Sequence, residues 1–180
     1  MAAEAIALPP RFIADILASL RAIRYIRETI VNTRASVENL SLEACEEINQ
    51  GMLMQIRLPM RDLDAPEVNM RRQGGRDGIP PQIQYEIGRI LGSYSIIETQ
   101  LGRLAENHDI TTTREIYDIY AESLHLLTDM ETQMLDFYIR VTGQDSIGGY
   151  RKRTQRTQHK RKTHRKSKTH RKRKTHYKRK

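Results

Sequence analysis

Apolar residues recur in steps of three and four through most of the first 142 residues, which is the spacing of one helix face. The first series follows Pro10, has one gap at Thr33, and keeps its phase throughout. Its members are Ile13, Ile16, Leu20, Ile23, Ile26, Ile30, Val37, Leu40, Ala44, Ile48, Met52 and Ile56. We therefore predict one helix over about 10–57. The alternative is a break near residue 40, where Ser41 could cap a new helix.

Two further apolar series predict helices over about 81–107 and 112–142. Their members are Ile83, Ile87, Ile90, Tyr94, Ile97, Leu101 and Leu104, then Ile116, Tyr120, Leu124, Leu127, Met130, Met134, Tyr138 and Val141. Thr112 and Glu115 have the spacing of a capping box, and Gly143 is a typical C-cap. Only about five residues separate these helices, which predicts an antiparallel hairpin. The stretch 58–82 contains four prolines and three glycines, so we predict a surface loop over 58–80.

These elements predict an all-α protein. The expected architecture is an antiparallel helical bundle or coiled coil of three long helices, or four if the first is broken near residue 40. A short segment, 1–9, precedes the helical region 10–142, and a linker, 143–150, follows it. The predicted first helix is nearly twice as long as the second, so part of its apolar face would overhang the hairpin. Exposed apolar surface of that extent usually marks association, which favours an oligomer.

A stripe of small residues also follows helical spacing in the second predicted helix: Gly88, Gly92, Ser95, Thr99 and Gly102. Glycine costs a helix interior about 1 kcal/mol relative to alanine, so three in one line need a reason. A matching stripe of Ala14, Ala18 and Ala22 lies in the first helix. We therefore predict close packing between helix backbones, with no further role for the stripe.

Charge divides the chain differently from hydrophobicity. The net charge is +9, yet the last thirty residues contain 17 Lys and Arg and no acid. Residues 1–150 hold the other 14 basic residues and all 22 acidic ones, a net charge of −8. Opposite charges in two regions indicate two different roles.

The segment 151–180, called the basic tail below, repeats Lys-Thr-His at Lys162, Lys168 and Lys174 and contains no aliphatic residue. It has nothing to bury, so we predict disorder. Its cations neutralise phosphates, whereas base reading requires rigidly placed side chains. We predict sequence-independent binding of DNA or RNA by Arg151, Lys152, Arg153, Arg156, Lys160, Arg161, Lys162, Arg165, Lys166, Lys168, Arg171, Lys172, Arg173, Lys174, Lys178, Arg179 and Lys180. Nuclear import, docking on an acidic surface and membrane attachment remain weaker alternatives.

With its Lys-Thr-His-Arg-Lys repeats, the basic tail resembles those of small proteins from large nucleocytoplasmic DNA viruses. The resemblance covers about 30 of the 180 residues and is compositional. It implies a small virion or genome-packaging protein whose tail lies on viral DNA. Proteases of such viruses cut after Gly-Gly, which makes Gly148-Gly149 and Gly74-Gly75 candidate processing points, although flexible-linker glycines are the favoured interpretation.

Several other classes of protein are disfavoured by the sequence. The lone Cys45 excludes an internal disulfide framework and is expected to be a small buried hydrophobe. The chain shows neither the pattern of a signal peptide nor an apolar run long enough to span a membrane. Phosphate-binding loops, nucleophile elbows and Cys-x-x-Cys pairs are missing. Glu122 and His125 have di-iron spacing without the second copy that such sites need, so a surface or cap histidine is favoured and no cofactor is expected.

The function expected from the sequence is that of a non-enzymatic structural adaptor. Its helical region forms a homo-oligomer or docks on a protein scaffold, and its tail tethers or condenses nucleic acid. The expected location is the virion, the host nucleus or a cytoplasmic assembly site, without secretion or membrane attachment. The alternative is a coiled-coil protein-interaction module whose tail serves only nuclear import or acidic-surface docking.

Overall fold

The computed structural model describes residues 8–72, 79–106 and 110–143, and it is helical without strands over that part of the chain. The predicted all-α class is therefore confirmed there. The helices are α1 (Pro10–Ser36), α2 (Leu42–Leu63), α3 (Ala65–Arg72), α4 (Pro81–Ile90), α5 (Tyr94–Glu106) and α6 (Thr113–Thr142). One 3₁₀ turn, Leu91–Ser93, joins α4 to α5.

The prediction of one continuous helix over 10–57 is wrong. The chain leaves the helix at Val37, and Asn39 adopts a left-handed φ of 68°, a conformation that asparagine tolerates better than most residues. The Ser41 side chain then caps α2 by accepting a hydrogen bond from the Ala44 amide at 3.3 Å. The alternative break near residue 40 is the one observed.

The predicted loop over 58–80 is also wrong in its first part, because α2 continues through Pro59 to Leu63 and α3 follows. Pro59 removes one helical hydrogen bond, that to the carbonyl of Gln55. Gln55 is exposed, so water can satisfy that carbonyl. The buried positions Met60 and Leu63 continue the apolar face of α2, and their packing offsets the lost hydrogen bond.

Several helix ends lie where the sequence placed them. Pro10 and Pro81 occupy the first turns of α1 and α4. At the start of α6, Thr112 accepts a hydrogen bond from the Glu115 amide, and Gly143 ends the helix with a φ of 66°. The predicted single helix over 81–107 is instead interrupted by the 3₁₀ turn, which contains the adjacent Gly92 and Ser93.

The long helices pack as antiparallel neighbours. Helix α1 contacts α2 and α6, while α5 contacts the same two helices. The Cys45 thiol lies 3.9 Å from the Val37 carbonyl, and Ser19 donates to the Leu63 carbonyl, so α2 runs back along α1. Pairing of Gln100 with Glu122 and of Arg140 with Glu86 gives α4–α5 and α6 opposite directions. The predicted hairpin is therefore confirmed.

The fold-back of α2 changes two expectations. The apolar face predicted to overhang the hairpin is covered instead, with Ile16, Ile23, Ile30, Met52 and Ile56 almost completely buried. The overhang therefore gives no argument for an oligomer. The predicted close approach at the small-residue stripe is also wrong, since a Cβ added at each of its three glycines would meet nothing within 4 Å.

The predicted N-terminal segment, 1–9, and the predicted linker and tail, 143–180, fall largely outside the described residues. The chain divides into two units, Met1–Gly143 and Gln144–Lys180, and the second unit lies outside the described residues. So do residues 1–7, the greater part of the predicted segment 1–9. No helix within the described ranges is long and apolar enough to cross a membrane.

Candidate nucleic-acid interface

All seventeen basic residues predicted to bind nucleic acid lie between 151 and 180, outside the described residues. The linker 144–150 and both Gly-Gly pairs also lie outside them. The described residues from Pro10 to Gly143, namely 10–72, 79–106 and 110–143, are called the helical body below. Its surface shows whether the body's own arginines are available for phosphate.

Three arginines of the helical body are held by carboxylates on neighbouring helices. Arg27 of α1 forms a hydrogen-bonded ion pair with Glu131 of α6, and Arg24 lies 3.6 Å from the same carboxylate. Arg140, near the end of α6, pairs with Glu86 of α4. Glu131 is 14% exposed, accepts a hydrogen bond from Arg27 and forms an ion pair with Arg24, so it links α1 to α6. These guanidinium groups are already neutralised by the fold.

Two arginines also contact aromatic rings. The Arg34 guanidinium carbon lies 5.8 Å from the centre of the Tyr117 ring, and that of Arg140 lies 5.7 Å from the centre of the Phe137 ring. A planar guanidinium suits such contacts better than a lysine ammonium does. Arg24, Arg27 and Arg34 therefore connect α1 to α6, and Arg140 connects α6 to α4, so these four arginines have a structural role.

The outer face of α6 is acidic. Asp118, Glu122, Asp129 and Asp136 are exposed and follow one another at nearly helical spacing. Gln100 donates to Glu122 at 2.9 Å, and His125 lies 3.3 Å from Asp129. No arginine interrupts this run between the two ends of the helix. Such a face repels phosphate, so it opposes nucleic-acid binding by the helical body.

Comparison with known proteins adds no family to these observations. No family model, curated protein or solved structure matches the chain. Functional inference therefore depends on the chemistry of its own residues.

Titratable groups inside the helical body are bound into its packing. Cys45 is 1% exposed, and burial raises the pKa of its thiol, so the expectation of a buried hydrophobe is confirmed. Burial, assisted by Glu98 and Asp64, raises the pKa of Tyr94 to about 12. Tyr120 is fully buried, burial raises its pKa, and its hydroxyl donates to the Asn49 side-chain oxygen. None of these groups is ionised at neutral pH.

His125 is exposed beside Asp129, as the surface interpretation predicted. Within the described ranges, no group of three or more His, Cys, Asp or Glu side chains is arranged to hold a metal ion.

The contact between Asn49 and Tyr120 was missed by the sequence analysis. Asn49 occupies the position between Cys45 and Met52 on the apolar face of α2, where a polar side chain requires a partner. That spacing was the available signal. It identifies the buried asparagine but does not reveal which helix supplies the hydroxyl, because 71 residues separate the pair.

Proposed function

We propose that this protein is a non-enzymatic adaptor that binds nucleic acid without sequence preference through its basic tail and self-associates through its helical body. The partition of charge carries the proposal. All nine lysines of the chain and eight of its arginines lie within residues 151–180, which contain no acid, while residues 1–150 have a net charge of −8. The resemblance of the tail adds a setting, that of a virion or genome-packaging component.

The described surface supports this division of roles. Glu131 and Glu86 engage arginines of α1 and α6, and the exposed face of α6 carries acids. The basic tail, which contains no Asp or Glu, is therefore the region to which we assign phosphate binding. Several tails linked through a self-associating body would increase avidity without any new contact.

The energetics follow from counterion release. Each phosphate neutralised on duplex DNA contributes a slope of about −0.9 in the logarithm of affinity against the logarithm of salt concentration. If about eight of the seventeen cations engage, raising salt from about 50 to about 200 mM should lower the affinity by about four decades. The measured slope divided by about −0.9 therefore gives the number of phosphates that the tail neutralises.

The test is a titration of labelled duplex DNA at several salt concentrations. It compares the full chain, a chain ending at Gly149, and a chain whose tail is scrambled at constant composition. Truncation should abolish binding, and scrambling should change affinity by less than about threefold, because phosphate neutralisation depends on charge number. Undiminished binding by the truncated chain would refute the assignment to the tail.

Two other results of the same titration would change the interpretation. A large loss of affinity on scrambling would mean that the Lys-Thr-His repeat is recognised as a sequence. Negligible binding by the full chain at low salt would instead favour a protein-interaction module whose tail serves import or acidic-surface docking. Repeating the titration with duplex RNA of equal length distinguishes the two nucleic acids.

A further inference from the structure

No other helix packs closely against the three glycines of the small-residue stripe Gly88, Gly92, Ser95, Thr99 and Gly102. A Cβ built at each of the three glycines would meet nothing within 4 Å, and Gly92, Ser95 and Thr99 are exposed. Glycine is disfavoured in helix interiors relative to alanine. The packing of the helical body does not require glycine at these positions, so the stripe lacks an internal explanation.

The stripe borders an open groove between α2–α3 and α4–α5, called the α4–α5 groove below. The groove has two sections that meet at Tyr94. One section contains Leu53 and Leu101 together with Gly102, and the other contains Val68 and Leu91 together with Gly88. Each section therefore places aliphatic side chains next to a glycine.

Exposed apolar side chains lie on the helices that border the α4–α5 groove. Met54 and Leu58 of α2 are 75% and 68% exposed, and Ile96 of α5 is 46% exposed. Burying them would be favourable in proportion to the apolar area removed from water. None of the three lines either section of the groove, so they are apolar surface of the same helices outside it.

The charges of the groove differ between its sections. Arg57 and Arg61 of α2 line the section that contains Gly102. Asp64 and Glu67 line the section that contains Gly88. Glu98 also lies beside the arginines, so that section carries the smaller net charge. A second copy placed antiparallel would bring the arginines of each chain to the acids of the other.

The small-residue stripe is also self-complementary when two copies are placed antiparallel. Antiparallel pairing of two stripes about Ser95 places Gly88 opposite Gly102, and Gly92 within one position of Thr99. Small residues then face small residues along the whole contact, so the two helices can approach closely. Shape and charge are thus both self-complementary under one two-fold rotation, as an isologous dimer requires.

We propose that the α4–α5 groove is a homodimer interface in which the α4–α5 segments of two chains pack antiparallel about a two-fold axis near Ser95. This interface rests on the proposed function, in which the helical body self-associates, and it identifies the surface through which two chains would associate. It replaces the apolar overhang of α1 as the basis of association.

The first test measures the mass of the full chain by light scattering over a range of concentrations, for the wild type, Gly92→Leu and Gly51→Leu. Gly51 of α2 is the matched control, since a Cβ there also meets nothing within 4 Å but lies outside the groove. Overpacking at the interface should raise the dimer Kd about tenfold or more for Gly92→Leu. Gly51→Leu should leave the Kd within about twofold of wild type.

The second test uses charge reversal. Arg57→Glu and Glu67→Arg should each weaken the homodimer, because like charges then meet at both ends of the contact. Mixing the two variants should restore dimers, since opposite charges meet again at both ends. Native mass spectrometry distinguishes the mixed dimer by mass, and circular dichroism checks that each variant keeps its helices.

The outcomes separate the two proposals. A dimer that survives Gly92→Leu and shows no preference for mixed charge variants overturns this interface while leaving self-association intact. A wild type that stays monomeric at all concentrations overturns both the interface and the self-association. Binding of the same variants to duplex DNA should keep the wild-type salt slope per chain, so the nucleic-acid function is judged independently of either result.

Discussion

The helical body and the basic tail differ in which cations they use and in what surrounds those cations. Residues 1–150 contain fourteen arginines and no lysine, whereas the tail contains all nine lysines. Four of these arginines, Arg24, Arg27, Arg34 and Arg140, pair with Glu131 or Glu86 or lie against the rings of Tyr117 and Phe137. In the helical body these four positive residues contribute to packing, whereas the positive residues of the tail are candidate phosphate ligands.

The physical basis of this contrast is geometric. A guanidinium has a planar fork of donors that fits a carboxylate and can stack on a ring, whereas an ammonium is a compact and strongly hydrated charge. Fixed helices can exploit the first kind of group because they hold its partners in place. The tail contains no aliphatic residue from which to build such a framework, so we expect its charges to act by number.

The largest expected effect uses the lysine distribution directly. Acetylation of the full chain with an amine-reactive reagent neutralises nine of the seventeen tail cations and otherwise reaches only the N-terminal amine. If about half of about eight phosphate contacts are lost, affinity for duplex DNA at about 100 mM salt should fall by about a thousandfold, and the salt slope should halve. The measurement is the same DNA titration with modified and unmodified protein.

Reductive methylation is the matched control, because it modifies the same amines but keeps their charge. It should leave both the affinity and the salt slope close to those of the unmodified protein. Circular dichroism of the helical body should be unchanged by either treatment, since no lysine lies in it. Equal losses after acetylation and methylation would show that the tail is recognised by shape, contrary to the charge-number argument.

The next effect concerns the helical body alone. Tyr120→Phe removes the hydroxyl that donates to Asn49, leaving the amide oxygen of a fully buried side chain without its donor. The expected destabilisation is about 1–3 kcal/mol, the cost of an unsatisfied buried polar group. Urea unfolding followed by circular dichroism measures it, while the salt slope of DNA binding should not change.

A double variant sharpens that result. Asn49→Leu combined with Tyr120→Phe removes both polar partners, so it should be more stable than Tyr120→Phe alone. Tyr117→Phe is a suitable control because its side chain is only partly buried and is contacted by Arg34. If Tyr120→Phe and Tyr117→Phe cost the same, the contact between α2 and α6 does not stabilise the fold.

The same contrast explains what the sequence could predict. Local rules located the caps at Thr112 and Gly143 and the proline starts of α1 and α4, because each depends on residues within one helical turn. Phosphate binding by the tail stays a prediction from its composition, since residues 151–180 lie outside the described part of the chain. Both kinds of inference need no information about distant parts of the chain.

Errors arose where tertiary packing decided between local alternatives. The apolar series kept its phase through Val37 and Leu40, so periodicity alone favoured a continuous helix, although Asn39 and Ser41 permitted the break. Pro59 suggested a loop, yet burial of Met60 and Leu63 keeps that segment helical. The open face of the small-residue stripe was also invisible, because its neighbours depend on how all the helices pack.

The smallest expected effect tests whether arginines of the helical body are held by the fold. Glu131→Gln removes the carboxylate shared by Arg24 and Arg27 and should cost about 1 kcal/mol, because Glu131 is mostly buried while both arginines are partly exposed. Asp129→Asn, two residues away, should cost less than about 0.3 kcal/mol, since Asp129 and its partner His125 are both well exposed. Urea unfolding at low and high salt measures both changes.

The same pair of variants probes the boundary between the two regions. Glu131→Gln removes the carboxylate shared by Arg24 and Arg27, but residues 1–150 stay net negative and the exposed acids of α6 remain. We therefore expect the DNA-binding salt slope to stay within about 0.9, one phosphate contact, of the wild-type value. A steeper slope for Glu131→Gln than for Asp129→Asn would mean that arginines of the helical body reach phosphate once their carboxylate is removed. Ion pairing, and not position in the body or the tail, would then decide which cations bind phosphate.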